Sequence, residues 1–133
     1  MTSMIKIAID AMGGDDAPNK IIKGIIHHHK DNPNILYKIF GDQNKIHNLI
    51  DNKINNNNFE IVNTLKKVSS NDSPLEAAKR GKDTSMWLAI ESVKKFESDI
   101  VISAGNTGAL FVIAKLNLEM IETIDKPALA GLW

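Results

Sequence analysis

The chain has 133 residues, contains no cysteine and balances sixteen basic against sixteen acidic side chains. Its length favours a single domain, and a composition that is 43% hydrophobic and 24% charged is typical of a globular protein. Disulfides, thiolate metal sites and a cysteine nucleophile are excluded, and the lack of a basic excess argues against a nucleic-acid-binding protein. No apolar stretch is long enough for a signal peptide or a membrane span, so a cytoplasmic location is expected.

Strand and helix patterns alternate along the chain. Short apolar runs rich in β-branched residues predict strands at residues 5–9, 35–40, 59–62 and 100–102. Apolar residues at helical spacing predict helices at about 21–31, at 43–50, after Pro74, after a cap at Asp83 or Thr84, and after Gly108. A further strand is expected at 127–133. This alternation predicts one α/β domain over residues 1–133 with a largely parallel sheet.

Two polar runs favour a structural interpretation. His27, His28 and His29 are adjacent on a predicted helix, so their side chains point in different directions and cannot easily share one metal ion. We expect a solvated helix end there and no metal site. The Asn run at 55–58 is expected to be a surface turn before a strand.

The segment Asp10–Asp15 follows the first predicted strand and contains Gly13 and Gly14. Paired glycines allow backbone N–H groups to approach a ligand, and the following helix has an N-terminus that favours anions. Two carboxylates would repel a bare phosphate, so they are expected to bind a hydroxyl, orient a lysine or cap the loop. A tight glycine turn with aspartate caps explains the same residues equally well.

A cluster of cations, Lys79, Arg80 and Lys82, surrounds a glycine just before a predicted helix that includes Ser85. Cationic side chains and unpaired helix N–H groups together suit a phosphate or an oxyanion. A solvated turn between two helices is the alternative.

The segment Ser103–Gly108 places two glycines, two hydroxyls and an amide between an apolar strand and an apolar helix. Asn106 and Thr107 can donate hydrogen bonds to an oxyanion, and the small residues permit close approach of a ligand. The pattern is neither a P-loop nor a dinucleotide fingerprint. Ligands of open α/β sheets bind beyond the carboxyl ends of the strands, so this segment and Asp10–Asp15 are expected to line one crevice.

Taken in order, the stretches IAIDAMGGD, KDTSM and VISAGNTGAL resemble the phosphate acyltransferase family of phospholipid synthesis, and PALA resembles the family stretch that follows. The resemblance covers Ile5 to Trp133 and corresponds to the N-terminal portion of a longer family domain. It implies a three-layer α/β/α fold similar to isopropylmalate dehydrogenases, incomplete in this chain. Gly81 departs from the pattern, because the family often has a further basic residue there.

For function, the resemblance implies reversible transfer of a fatty acyl group from acyl carrier protein to inorganic phosphate, with no cofactor. It also implies a homodimer, a basic patch for the acidic carrier and delivery of acyl phosphate to a membrane glycerol-phosphate acyltransferase, with peripheral contact at the membrane. The resemblance implies roles for eleven residues. Asn106 and Thr107 are expected to donate hydrogen bonds to the oxyanion. Substrate or phosphate binding is expected of the other nine, which are Asp10, Gly13, Gly14, Asp15, Lys82, Ser85, Ser103, Gly105 and Gly108.

Three alternatives remain. A phosphotransacylase acting on coenzyme A esters would use similar chemistry. A dehydrogenase of the isopropylmalate type needs several arginines to hold carboxylates, and the chain has one, Arg80. An inactive remnant of a phosphate acyltransferase is the third.

Overall fold

A computed structural model describes residues 4–131 of the chain. The strands are β1 (Ile5–Asp10), β2 (Ile35–Gly41), β3 (Phe59–Asn63) and β4 (Ile100–Ser103), and the helices are α1 (Asn19–Asp31), α2 (Gln43–Ile50), α3 (Pro74–Arg80), α4 (Ser85–Lys94) and α5 (Thr107–Asn117). A short 3₁₀ helix covers Asn56–Asn58. None of the helices in the described part of the chain is long and apolar enough to cross a membrane.

The four strands form one parallel sheet in the order β3-β2-β1-β4. Helices α1 and α2 pack on one face of the sheet, and α4 packs on the other, where α3 and α5 lie against it. The fold is therefore the three-layer α/β/α arrangement that the sequence predicts, because parallel neighbours require crossover connections that cover both faces.

Strand β1 lies at the centre of this arrangement, between β2 and β4. Ile7 and Ile9 pack with α1 and α2, whereas Ala8 packs with α4 on the opposite face. The last four residues of the strand are buried, including Asp10 at its carboxyl end. A strand buried on both faces explains the nearly continuous apolar run in the sequence.

The histidine run forms the solvated helix end that the sequence predicts at His27 and His28, which are exposed, but not at His29, which is buried. His28 shares a hydrogen bond of 2.6 Å between its Nδ1 atom and the Tyr37 hydroxyl, and His29 is buried against the edge of the same ring. Burial raises the pKa of the Tyr37 hydroxyl above its ordinary value. The expectation was wrong for His29, because that side of the last turn of α1 packs on the sheet against Tyr37.

The Asn55–Asn58 turn is likewise more than a surface feature, because Asn58 is buried. Its Nδ2 atom donates to the backbone oxygens of Pro33 at 2.7 Å and Ile35 at 2.9 Å. These two hydrogen bonds therefore hold the turn against the beginning of β2.

The caps of α3 and α4 follow the sequence signals. Ser73 caps α3, and Pro74 occupies its first turn. Of the two candidates for the α4 cap, Thr84 is the residue used: its hydroxyl accepts from the Trp87 N–H and donates to the Gly81 oxygen at 2.6 Å.

The strand predicted at 127–133 is not formed in residues 127–131, and residues 132 and 133 lie outside the described part. The segment after α5 is largely exposed and forms no ladder with β4. A strand must pair with a neighbouring edge to satisfy its backbone groups, and this segment does not pair with the open side of β4.

Candidate active site

The carboxyl ends of β1 and β4 meet at one edge of the sheet. Asp10, the last residue of β1, pairs with Ser103, the last residue of β4. The loops that follow, residues 11–18 and 104–106, both contribute to one open cleft. This confirms the prediction that the two loops share a crevice.

The carboxyl group of Asp10 lies beneath the cleft and is 1% exposed. It accepts hydrogen bonds from the Ser85 hydroxyl at 2.6 Å, the Ser103 hydroxyl at 2.8 Å and the Met12 N–H at 3.2 Å. The Ser103 oxygen also accepts from the Gly105 N–H at 3.1 Å. Asp10 therefore joins β1, β4 and the beginning of α4.

Asp10 and Ser85 were expected to bind substrate, and the structure brings them together. Ser85 is completely buried and its hydroxyl is directed at Asp10, so neither residue presents a surface to the cleft. A role in ligand binding would therefore act through the position of the surrounding loops.

The glycines of the site are required by contacts between the two loops. A Cβ atom on Gly13 would lie 2.6 Å from the Asp10 Oδ2 atom and 2.9 Å from the Gly105 nitrogen. Gly14 has a φ of +92°, and its Cβ would lie 2.7 Å from the Ala104 oxygen. A Cβ on Gly108 would lie 2.7 Å from the Pro74 ring. The loop after β4 thus approaches Gly13 and Gly14, whereas the side chain of Pro74 in α3 approaches Gly108.

The cleft has a volume of about 620 Å³. Three segments line it, and the residues are Met12, Gly14, Asp15, Asp16, Lys67, Val68, Ser69, Ser70, Ala104, Gly105, Asn106, Thr107 and Gly108. The middle segment, residues 67–70, was not selected from the sequence. It belongs to a stretch that we call the crossing segment, residues 64–73.

The crossing segment begins after β3, which is one edge strand of the sheet, and reaches α5, which follows the other edge strand, β4. Its course is fixed by backbone bonds from the Thr64 N–H to the Gly41 oxygen and from the Ser85 N–H to the Lys66 oxygen, each 3.0 Å long. The Thr64 hydroxyl donates to the Asp83 oxygen at 2.7 Å. These bonds place Lys67 in the cleft.

Asn106 holds the far end of the crossing segment. Its Oδ1 atom caps α5 by accepting from the Ala109 N–H at 3.1 Å. Its Nδ2 atom donates to the backbone oxygens of Ser69 at 3.2 Å and Asp72 at 2.8 Å. Both amide hydrogens are thereby used, so the side chain has no donor left for the oxyanion role that was expected of it.

Other donors are present beside it. Thr107 and Gly108 line the cleft in the first turn of α5, and their N–H groups make no hydrogen bond within residues 4–131. Unpaired N–H groups at a helix N-terminus favour anions. The sequence indicates the Thr107 hydroxyl as a donor. In the structure the backbone N–H group of Thr107 is a second donor.

Lys82 is not brought to the cleft. It is exposed on the turn between α3 and α4 and does not line the cavity, whereas Lys67 does. Asp15 lines the cleft as an exposed carboxylate, and the neighbouring Asp16 accepts from the Asn19 amide at 2.8 Å. The cleft therefore has a cationic side at the crossing segment and an anionic side at the loop after β1.

The ion pair of Lys66 with Asp83, 2.5 Å between Nζ and Oδ2, lowers the pKa of the Asp83 carboxyl through its hydrogen bond and charge. We predict that Lys66→Met raises this pKa toward its ordinary value, as measured by NMR titration of the carboxyl carbon. Because the folded pKa is depressed, the stabilisation is present above the unfolded pKa and is lost as the pH falls through the folded value. An unchanged titration in Lys66→Met would contradict the pairing.

Comparison with known proteins independently supports the family resemblance. A family model described as "Fatty acid synthesis protein" matches residues 5–133. The chain is 65% identical over 133 residues to a phosphate acyltransferase of Pelagibacter ubique, covering all of this chain and 40% of that protein. It is 39% identical to one of Paramagnetospirillum magneticum, covering 38% of it, and 42% identical to one of Lactococcus lactis, covering 94% of this chain and 37% of that protein.

The chain thus spans about two fifths of the length of these relatives. Their shared name and the extent of the family match confirm the resemblance that the three sequence motifs indicate. The chain belongs to the family of fatty acid synthesis proteins that the matching model describes.

Proposed function

We propose that the cleft serves an acyltransferase that moves a fatty acyl group from acyl carrier protein to inorganic phosphate. The observation that carries the proposal is that Lys67, Thr107 and Gly108 line one cavity, where the N–H groups of Thr107 and Gly108 have no hydrogen-bond partner within residues 4–131. The relatives are named phosphate acyltransferases, and the family description refers to fatty acid synthesis, for which acyl carrier protein is the expected thioester carrier.

Phosphate binding follows from the charges of the cleft. The ammonium group of Lys67 can form charge-assisted hydrogen bonds to a phosphate oxygen, and the α5 N-terminus attracts negative charge. The carboxylates of Asp15 and Asp16 repel an anion on the opposite side. These charges favour a phosphate site against the crossing segment and α5.

The reaction is a direct acyl transfer. A phosphate oxygen attacks the thioester carbonyl carbon, a carbon–oxygen bond forms, and the carbonyl oxygen becomes a tetrahedral oxyanion. The carbon–sulfur bond then breaks and the carrier thiolate takes up a proton. Neutral N–H groups fixed by a helix stabilise charge that develops in the transition state, so Thr107 and Gly108 suit the oxyanion. No enzyme nucleophile is needed, in keeping with the absence of cysteine.

The remaining partners form part of the same proposal. A homodimer, an acidic carrier docked on basic residues and a membrane acyltransferase that receives the acyl phosphate are expected from the family resemblance. A coenzyme A thioester is the competing donor.

The test uses a chimera in which this chain replaces the matching segment of the 65% identical Pelagibacter ubique relative. We predict that the chimera forms acyl phosphate from dodecanoyl-acyl carrier protein and phosphate, and that Lys67→Met raises the KM for phosphate about tenfold or more, the usual cost of one charged hydrogen bond. The KM for the thioester should change much less.

Lys82→Met is the matched control, because Lys82 is an exposed lysine that does not line the cleft. A larger effect of Lys82→Met than of Lys67→Met would overturn the assignment of the phosphate cation. Faster reaction with dodecanoyl-coenzyme A than with the carrier thioester would favour the phosphotransacylase alternative. A folded chimera without acyl transfer would refute the proposed function.

A further inference from the structure

A second concavity lies on the α1 face of the sheet, between α1 and β4, with a volume of about 300 Å³. We call it the Ile102 groove. It shares no lining residue with the cleft described above. Its walls are almost entirely apolar, and the large side chains that form them are Ile7, Ile9, Ile21, Ile25, Tyr37 and Ile102.

Within residues 4–131, β4 is covered by helices on one face, and the groove lies on the other face. Ile100 and Ile102 pair with Ile7 and Ile9 and therefore point to the α1 face, as alternate residues of parallel neighbours do. Helix α1 packs over β1 and β2, and α4 covers β4 from the opposite side. Ile100 remains 48% and Ile102 51% exposed. Exposed aliphatic side chains beside a concavity form a surface that an apolar ligand can cover.

We propose that the Ile102 groove binds the alkyl chain of the fatty acyl substrate. This inference rests on the proposed function and adds to it the place where the acyl chain lies. An alkyl chain needs apolar walls and no hydrogen-bond partner. His28 and Tyr37 also line the groove, but they form a hydrogen bond of 2.6 Å with each other and therefore need no polar group of a ligand.

The position of the groove suits a chain whose carbonyl carbon lies in the cleft. Ile102 is two residues from Ala104, a cleft residue, which corresponds to about 7 Å along a strand. From there the groove follows α1 from Lys20 to His28, about 12 Å along the helix axis. The acyl chain would leave the cleft beside Ile102 and run toward His28.

Lys20 provides the charge complementarity at the upper end. It lines the groove near the N-terminus of α1 and forms no ion pair within residues 4–131. A free fatty acid carries its negative charge at the carboxylate end of the chain. The cation and the apolar walls therefore match the two parts of such a molecule.

Gly24 offers a variant that fills the groove without disturbing the fold. It lines the groove on α1, and a Cβ added to it would meet nothing within 4 Å. Leucine is also a better helix former than glycine. Gly24→Leu should therefore remain folded while its side chain occupies the space of the alkyl chain, and Gly24→Ala, which adds one methyl group, is the matched control.

The binding arm uses dodecanoate and the purified chain, followed by calorimetry and by NMR shifts of the isoleucine methyl groups. We expect Ile7, Ile9 and Ile102 to shift, and Gly24→Leu to weaken the Kd at least about tenfold, the effect of excluding two methylenes. Gly24→Ala should bind nearly as the unmodified chain does. Absent binding, or equal binding by Gly24→Leu, would overturn the proposal. Sedimentation that shows a dimer dissociated by Gly24→Leu but not by dodecanoate would assign the groove to a second copy of the chain.

The activity arm uses the same variants in the Pelagibacter chimera, with butyryl and dodecanoyl thioesters of acyl carrier protein. Gly24→Leu should reduce kcat/KM for the dodecanoyl substrate about tenfold and leave the butyryl substrate nearly unchanged. A chimera active on both, with an unaltered preference in Gly24→Leu, refutes the groove while the proposed function stands. Inactivity toward both substrates in every form refutes the proposed function instead.

Discussion

Gly13→Ala is expected to lower the free energy of unfolding by about 3 kcal/mol, the upper part of the usual range for overpacking a buried site. The added Cβ would lie 2.6 Å from the Asp10 Oδ2 atom and 2.9 Å from the Gly105 backbone nitrogen. Neither atom can move easily, because Asp10 is fixed by three hydrogen bonds and Gly105 belongs to the neighbouring loop. Urea denaturation of the purified variant measures the effect.

Gly24→Ala is the control for this substitution. It makes the same chemical change at an exposed position of α1 where the new methyl group meets nothing within 4 Å. Replacing a glycine inside a helix by alanine should raise the free energy of unfolding by about 0.5–1 kcal/mol. If Gly13→Ala were also neutral or stabilising, the loop after β1 would not be packed against the loop after β4 as described.

Asn106→Ala is expected to cost about 3 kcal/mol of stability. The substitution removes a helix cap, worth about 1 kcal/mol, and two hydrogen bonds to backbone oxygens, worth about 1 kcal/mol each. The two lost bonds are those that tie α5 to Ser69 and Asp72. In the chimera, turnover should fall as well, because Lys67 would no longer be held in the cleft.

Asn106→Asp separates the cap from the two bonds to the crossing segment. Its carboxylate can still accept from the Ala109 N–H, but it has no hydrogens to donate to Ser69 and Asp72. It should therefore retain α5 and release the crossing segment, which hydrogen exchange at residues 66–72 would detect. A chimera in which Asn106→Ala is as stable as the unmodified form yet turns over 10²–10³ times more slowly, the cost of a lost oxyanion donor, would restore the direct role predicted from the sequence.

Most of the secondary structure was predictable because its signals are local. The runs at Ile5–Asp10 and Ile100–Ser103 are apolar and β-branched, and the caps at Ser73 and Thr84 mark helix starts. Residues 127–131 failed as a strand because strand formation depends on a neighbouring edge, which a local pattern does not reveal.

The site was predictable to the level of its loops. Strand ends on one edge bring Asp10 and Ser103 together by topology alone. The crossing segment was not predicted, because no local sequence pattern distinguishes Lys67 from other lysines in exposed loops. Lys67 reaches the cleft only through the hydrogen bonds that the crossing segment forms with distant residues. Individual roles were assigned from chemical type and from the family resemblance, and they stay predictions. Ser85 and Asn106 have suitable donors, but both use them within the fold.

The hydrogen bond from Ser103 to Asp10 also has a consequence for the order of folding, because it joins residues 93 positions apart. The pairing of β1 with β2 begins at Ile5 and Ile35 and closes a much shorter loop. Closing the longer loop costs about 1 kcal/mol more in chain entropy, and contacts of high sequence separation form slowly. The β1-α1-β2 unit can therefore form early, whereas the cleft is assembled only when β4 docks on β1, in one of the last steps of folding.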